Sequence, residues 1–187
     1  MLLTTLLAQH PEAAADIVRH TPPWVGGLLL ALTALGLSAT RARRLSLPRL
    51  LAPPVAMTAL ALWGVQSAFS GHGAALLALW AVCAGVVVAA GARRAAPAGA
   101  RYDAAQRAFA LPGSWLPLAL MLGVFLTKYA VGVQLALAPE LARSSGFALG
   151  VTALYGALSG LFVVRTWRVL RLAHAPADGR TRLARAA

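Results

Sequence analysis

Long apolar stretches without any charge alternate along this chain with short segments rich in arginine. Residues 20–40, 50–92 and 144–164 carry no charge, and Lys128 alone interrupts the stretch 108–139. A helix needs about 20 largely apolar residues to cross the roughly 30 Å hydrocarbon core of a bilayer. The pattern therefore predicts a polytopic membrane protein built from helices.

The uncharged stretches predict five spanning helices. Residues 50–92 would make one helix of about 64 Å, which is enough for two crossings, and the glycine-rich segment Ser67–Gly73 divides them. The five helices are predicted at Pro23–Thr40, Ala52–Ala68, Ala74–Gly91, from Trp115 to just before Pro139, and at Gly146–Val164. Pro53 and Pro54 then fall in the first turn of the second helix, where proline is tolerated.

Three domains follow from these helices. Residues 1–22 are predicted to form an extracytoplasmic tail, residues 23–164 the transmembrane domain and residues 165–187 a basic cytoplasmic tail. For residues 1–20, an amphipathic segment lying on the membrane and a disordered tail both fit the composition. For the third loop, residues 95–113, a short hairpin and a segment lying against the bilayer both remain open.

The arginines predict the orientation of the bundle. Fourteen lie in the first loop, the third loop and the C-terminal tail, whereas the opposite side holds two, Arg19 and Arg143. Loops rich in arginine and lysine stay in the cytoplasm. The predicted fold class is therefore an all-α integral membrane bundle of five transmembrane helices, with the N-terminus outside and the C-terminus in the cytoplasm.

The composition and net charge narrow the classes of binding partner that the chain can have. The chain is 59% hydrophobic with a mean hydropathy of +0.71, and its net charge is +12. The cations lie beside the ends of apolar segments and are not gathered with aromatic residues on one accessible face, so nucleic-acid binding is not expected. The predicted partner is the bilayer itself, with anionic headgroups on the cytoplasmic side.

Lys128 is the candidate functional residue, since an ionisable side chain deep in a membrane helix is a functional-site hypothesis by default. Counted from Trp115, it lies about 20 Å above the cytoplasmic edge of the core. One hypothesis is that its ammonium donates to the hydroxyls of Thr152, Tyr155 or Ser159 across a contact between helices four and five. The alternative is that its flexible stem carries the ammonium outwards to the headgroups.

Glycines mark the predicted helix contacts. Two small-xxx-small motifs lie in the fifth helix, and small residues at this spacing let helix backbones approach closely. The predicted packing residues are Gly132, Gly146, Gly150, Gly156 and Gly160.

The sequence contains no catalytic constellation that we can assemble. Paired carboxylates, a phosphate loop and a CxxC motif are missing, and no acidic residue lies within a predicted span to complete a Ser/His/Asp triad. Cys83 is the single cysteine, which excludes an intramolecular disulfide. The four histidines lack the local spacing of a metal site. No enzyme activity, metal or cofactor is predicted.

Several stretches resemble a family of small, uncharacterised, multi-pass bacterial inner-membrane proteins that is known only as a domain of unknown function. They are Thr21-Pro22-Pro23-Trp24, Leu111-Pro112-Gly113-Ser114-Trp115-Leu116-Pro117-Leu118, Lys128-Tyr129 and Leu154-Tyr155-Gly156-Ala157-Leu158-Ser159-Gly160-Leu161-Phe162. The resemblance implies a bacterial inner membrane and this topology, and it carries no catalytic residue across.

Two functions fit these observations. The first is a non-enzymatic accessory, assembly or interaction subunit, which works with a membrane-protein partner or as a homo-oligomer. The alternative is an oligomeric transporter or channel with Lys128 lining the pathway, because five helices are too few to enclose a pore alone.

Overall fold

The computed structural model describes residue 17, residues 19–69 and residues 73–174. Predictions for residues 1–16, for the loop at 70–72 and for the tail beyond 174 lie outside these residues. In the described part, the elements with defined bounds are α1 Pro23–Ser38, β1 Arg43–Ser46, α2 Leu47–Ala68, α3 Gly73–Ala92, β2 Arg101–Asp103, β3 Ala108–Leu111, α4 Leu116–Leu137, a 3-10 helix Pro139–Arg143 and α5 Ser145–His174.

The helices form a membrane-type bundle. Four of them, α2 to α5, are long and apolar enough to cross a bilayer. The first helix, α1, has 16 residues and rises about 24 Å, which is less than the hydrocarbon thickness. Among the described residues, helices lie at all five predicted places, and four of them, where five spans were predicted, are long enough to cross by themselves.

The start of α2 differs from the prediction. This helix begins at Leu47, five residues before the predicted Ala52, so Pro48 occupies its first turn while Pro53 and Pro54 lie inside it. Each interior proline lacks the N–H that would bond back along the helix. The prediction that Pro53 and Pro54 open the helix is therefore wrong.

The last helix also extends further than predicted. It continues for 30 residues to His174 instead of ending at Val164. Two of its arginines bond to the end of α3, where backbone carbonyls have no partner within the helix. Arg168 Nε donates to the carbonyl of Gly91 at 2.9 Å, and Arg171 Nη1 donates to that of Ala92 at 2.7 Å. These two hydrogen bonds hold the additional turns of α5 against the end of α3.

A three-stranded antiparallel sheet joins the first and third loops, so the fold is not purely α. Strand β3 lies in the middle, with β1 on one side and β2 on the other. Of the two structures left open for the third loop, the hairpin is the one that forms, and Asp103 closes its turn by accepting from the N–H groups of Ala105 and Gln106. The pairing of β1 was not predicted.

The sheet has its own small core beneath it. Phe109 is 2% exposed and packs with Leu50 and Val169, while its ring lies 4.9 Å from that of Tyr102. The main core lies between the helices, where α5 contacts α2, α3 and α4, and α1 packs on α4. These contacts hold the sheet at one end of the bundle, and the loop between α4 and α5 lies at the other end.

Candidate ligand cavity at Lys128

A cavity of about 750 Å³ lies near the end of the bundle opposite the sheet. Its walls come from the segment before α1, from α1 and α2, and from the face of α4 between Phe125 and Leu137. Trp24 and Trp63 contribute aromatic surface, and most of the remaining wall is aliphatic. Ligand sites are concave, largely apolar and supplied with a few polar groups, and this cavity has that character.

Lys128 supplies the positive charge of the cavity wall. Its Nζ lies 4.4 Å from the ring centroid of Trp63, on α2, in a cation–π contact. None of the residues described as lining the cavity is acidic, so the ammonium faces apolar and aromatic surface there.

One side of the cavity is closed by a hydrogen bond between α4 and the segment before α1. The hydroxyls of Thr21 and Tyr129 lie 2.7 Å apart. Thr21 donates to the carbonyl of Ile17 at 2.7 Å, which leaves Tyr129 to donate to Thr21 because each hydroxyl carries one hydrogen. The side chain of Thr21 does not cap α1, whose N-cap position belongs to Pro22.

The predicted polar cluster is only partly assembled. Lys128 Nζ and the hydroxyl of Tyr155 each lie 3.5 Å from the point where a Cβ on Gly64 would stand. The two side chains thus approach the same glycine on α2. Among the described residues, no hydrogen bond joins Lys128 to α5.

Thr152 and Ser159 belong to the interior of the bundle. They are 0% and 2% exposed, neither lines the cavity, and their hydroxyl oxygens have no hydrogen-bond partner among the described residues. The direct donation from Lys128 to these two hydroxyls, one of the two alternatives that the sequence left open, is therefore not made in the structure. The physical reason is that α2 inserts Trp63 and Gly64 beside Lys128.

Sequence reasoning missed both Trp63 and Gly64 as neighbours of Lys128. A glycine within an apolar helix was an available signal, because small residues mark places where helices approach closely. Nothing in local spacing, however, assigns a residue on α2 to a partner on α4. The pairing of Thr21 with Tyr129 was missed for the same reason.

The glycines predicted to mark helix contacts divide into two groups, according to whether an added Cβ would meet a neighbouring helix. On Gly156 an added Cβ would stand 2.6 Å from the carbonyl oxygen of Trp80, and on Gly160 it would stand 2.7 Å from that of Ala84. Both belong to the contact of α5 with α3, so the helices approach there to backbone distance. Gly132, Gly146 and Gly150 have no described atom within 4 Å of an added Cβ. The packing contacts expected of these three glycines are not made within the described chain.

Charge is distributed very unequally between the two ends of the bundle. Eleven arginines of the described residues lie at the sheet end: Arg41, Arg43, Arg44, Arg49, Arg93, Arg94, Arg101, Arg107, Arg165, Arg168 and Arg171. The described part of the other end holds Arg19 and Arg143 together with Glu140. The cavity thus lies away from the basic end.

The comparisons with known proteins identify a family and no function. No curated protein and no solved structure matches the chain. The model of DUF6622, described as a family of unknown function, matches residues 1–180.

Proposed function

The chain belongs to DUF6622, a family of unknown function, and from this premise we propose that it is a non-enzymatic accessory protein of the bacterial inner membrane. In this proposal its role is to hold an anionic amphiphile, a molecule with a carboxylate or phosphate head and an apolar tail, in the cavity beside Lys128. The loaded protein presents that molecule to a membrane-protein partner or to a second copy of the chain.

The observation that carries this proposal is a lysine in an apolar cavity whose described walls hold no acidic residue. A charged lysine at the centre of a membrane helix costs about 2.5–3.5 kcal/mol. The cation–π contact with Trp63 offsets roughly 0.5–2 kcal/mol of that cost. An anionic head beside Lys128 supplies the missing interaction, and the apolar walls accommodate a tail.

The chemistry of the walls favours binding over catalysis. The described residues around the cavity include neither a carboxylate nor a thiol. They do include the imidazole of His20 and the hydroxyls of Thr21 and Tyr129, and both hydroxyls already donate, Thr21 to Ile17 and Tyr129 to Thr21. A base such as His20 activates a nucleophile only where a hydroxyl or thiol donates to it, and the two hydroxyls donate elsewhere. This supports a role in holding a molecule unchanged.

The proposed orientation follows from the arginines. The sheet end carries most of the cations and belongs in the cytoplasm by the positive-inside rule, so the cavity opens in the outer half of the bilayer. In a Cys83→Ala background, we expect Ala142→Cys to react with a membrane-impermeant maleimide in intact cells. Ala98→Cys should react only after lysis, and its labelling in intact cells would reverse the proposed orientation.

The binding proposal is tested with a brominated fatty acid, because bromine quenches the fluorescence of a nearby tryptophan. Trp63 is kept as the single fluorophore by changing Trp24, Trp80, Trp115 and Trp167 to phenylalanine in the full-length protein. We expect the brominated acid to quench Trp63 saturably. Lys128→Met should weaken this binding by about 10- to 100-fold, since a charged hydrogen bond contributes roughly 1.5–3 kcal/mol.

Two controls make the quenching experiment specific. Lys128→Arg keeps the charge and should retain most of the affinity, whereas the brominated methyl ester, which has the same tail and no charge, should bind weakly and equally to all variants. Equal quenching of the wild type and Lys128→Met by the acid, with both proteins folded, would refute the proposal.

A further inference from the structure

A second cluster of cations lies at the opposite end of the bundle, around a cavity of about 30 Å³. Three arginines from three different elements line it: Arg43 from β1, Arg49 from α2 and Arg165 from α5. We call this cluster the arginine niche. Its floor is apolar and includes Leu50 and the buried ring of Phe162.

Within the described residues, no carboxylate lines the niche to compensate its positive charge. Arg43 and Arg165 line the same small cavity, so their like charges repel each other, and partial burial lowers the pKa of the Arg43 guanidinium. The acidic residues of the described chain, Asp103 and Glu140, do not line the niche. Asp103 is used in the hairpin turn, and Glu140 lies in the 3-10 helix at the far end.

The position of the niche along α5 gives its depth relative to the hydrocarbon core of the bilayer. Arg165 lies 20 residues after the start of α5 at Ser145, and 20 residues rise about 30 Å, which is the thickness of the hydrocarbon core. The guanidinium therefore lies where the acyl chains end and the headgroups begin. The sheet, which carries Arg43, covers this end of the bundle.

We propose that the arginine niche binds the phosphate of a phospholipid headgroup in the cytoplasmic leaflet. Guanidinium groups recognise phosphate with paired N–H donors, and basic pockets between membrane helices on this side suit anionic lipid heads. The cavity is about the size of one water molecule. It admits phosphate oxygens at its mouth and is too small for a nucleotide, while the acyl chains remain in the bilayer.

The test is native mass spectrometry of the full-length protein, first delipidated in detergent and then titrated with phosphatidylglycerol. Every protein in the titration carries Lys128→Met, because the cavity beside Lys128 is itself proposed to hold an anionic amphiphile. We expect one phospholipid to be retained by each chain. The combined substitutions Arg43→Gln, Arg49→Gln and Arg165→Gln should reduce the retained fraction at least tenfold. The matched control removes the same charge from exposed positions of the same end: Arg93→Gln, Arg94→Gln and Arg101→Gln. This control should retain the lipid as the Lys128→Met protein does.

Three results would overturn the proposal. The first is retention of the lipid by the niche variant. The second is an equal loss of lipid from the control, which would mean diffuse attraction to the basic end. The third is displacement of the lipid by glycerol 1-phosphate at equal concentration, which would mean a site for soluble phosphate. Because Arg49 is exposed, Arg49→Gln alone is expected to fold and should still lower retention measurably. Because Lys128→Met is present in every protein compared, this outcome does not depend on the cavity at the other end.

Discussion

Replacing Gly156 and Gly160 together by alanine is expected to lower the free energy of unfolding by about 2–6 kcal/mol, since overpacking costs typically 1–3 kcal/mol at each site. Each new Cβ would stand less than 3 Å from a backbone carbonyl oxygen of α3, that of Trp80 or Ala84. Backbone cannot rotate away as a side chain can. Relief therefore requires α3 and α5 to separate, which loosens the contact along much of both helices.

The same helix provides the control. Gly146 and Gly150 repeat the glycine spacing, but an added Cβ meets no described atom there within 4 Å. Gly146→Ala with Gly150→Ala should leave stability unchanged or raise it slightly, because alanine is about 0.5–1 kcal/mol better than glycine in a helix. Thermal and denaturant unfolding in detergent compare the two pairs. Equal destabilisation by both would show that glycine spacing alone, independent of α3, determines the effect.

Phe109→Ala is expected to destabilise the protein by about 3–5 kcal/mol, as truncation of a buried phenylalanine usually does. Phe109 is 2% exposed and fills the space between the sheet and the helices through contacts with Leu50, Tyr102 and Val169. Its removal leaves a cavity under the middle strand and weakens the attachment of both outer strands.

The effect of Phe109→Ala can be separated from a general loss of aromatic surface. Trp115 lies a few residues further on and is 68% exposed, so Trp115→Ala should change the free energy of unfolding by no more than about 0.5 kcal/mol. The measurement is again unfolding in detergent. A small effect for Phe109→Ala, equal to that of Trp115→Ala, would mean that the sheet contributes little to the stability of the bundle.

The helices could be located from the sequence because membrane helices are specified by uninterrupted apolar length, a local property. Their ends were less predictable. Arg49 and Arg165 mark the limits of the uncharged stretches, yet both lie inside helices. Charged residues indicate where the hydrocarbon core ends, not where the helix ends. A helix continues into the headgroup region wherever it has packing and hydrogen-bond partners. Arg168 and Arg171 find theirs at the end of α3.

The sheet and the candidate site show where sequence reasoning stops. The pairing of Arg43 with Leu111 joins residues separated by two helices, and the three-residue and four-residue strands have too little alternation to reveal it. Lys128 was recognisable because a charge within an apolar helix is rare. Its neighbour Trp63 was not, because helical periodicity gives the face of a residue and not the identity of the helix that it meets.

The pairing of β1 with β3 affects the order in which the protein assembles during its synthesis. Ser46 pairs with Ala108 and Arg43 pairs with Leu111, so the sheet cannot form until the ribosome has added residues up to the second partner. At about 5–20 residues per second, this delay is on the order of 3–13 s. During that interval α1 and α2 lie in the bilayer while β1, the strand between them, still lacks its partner β3. Assembly of the sheet end of the bundle is thus a late event in the synthesis of the chain.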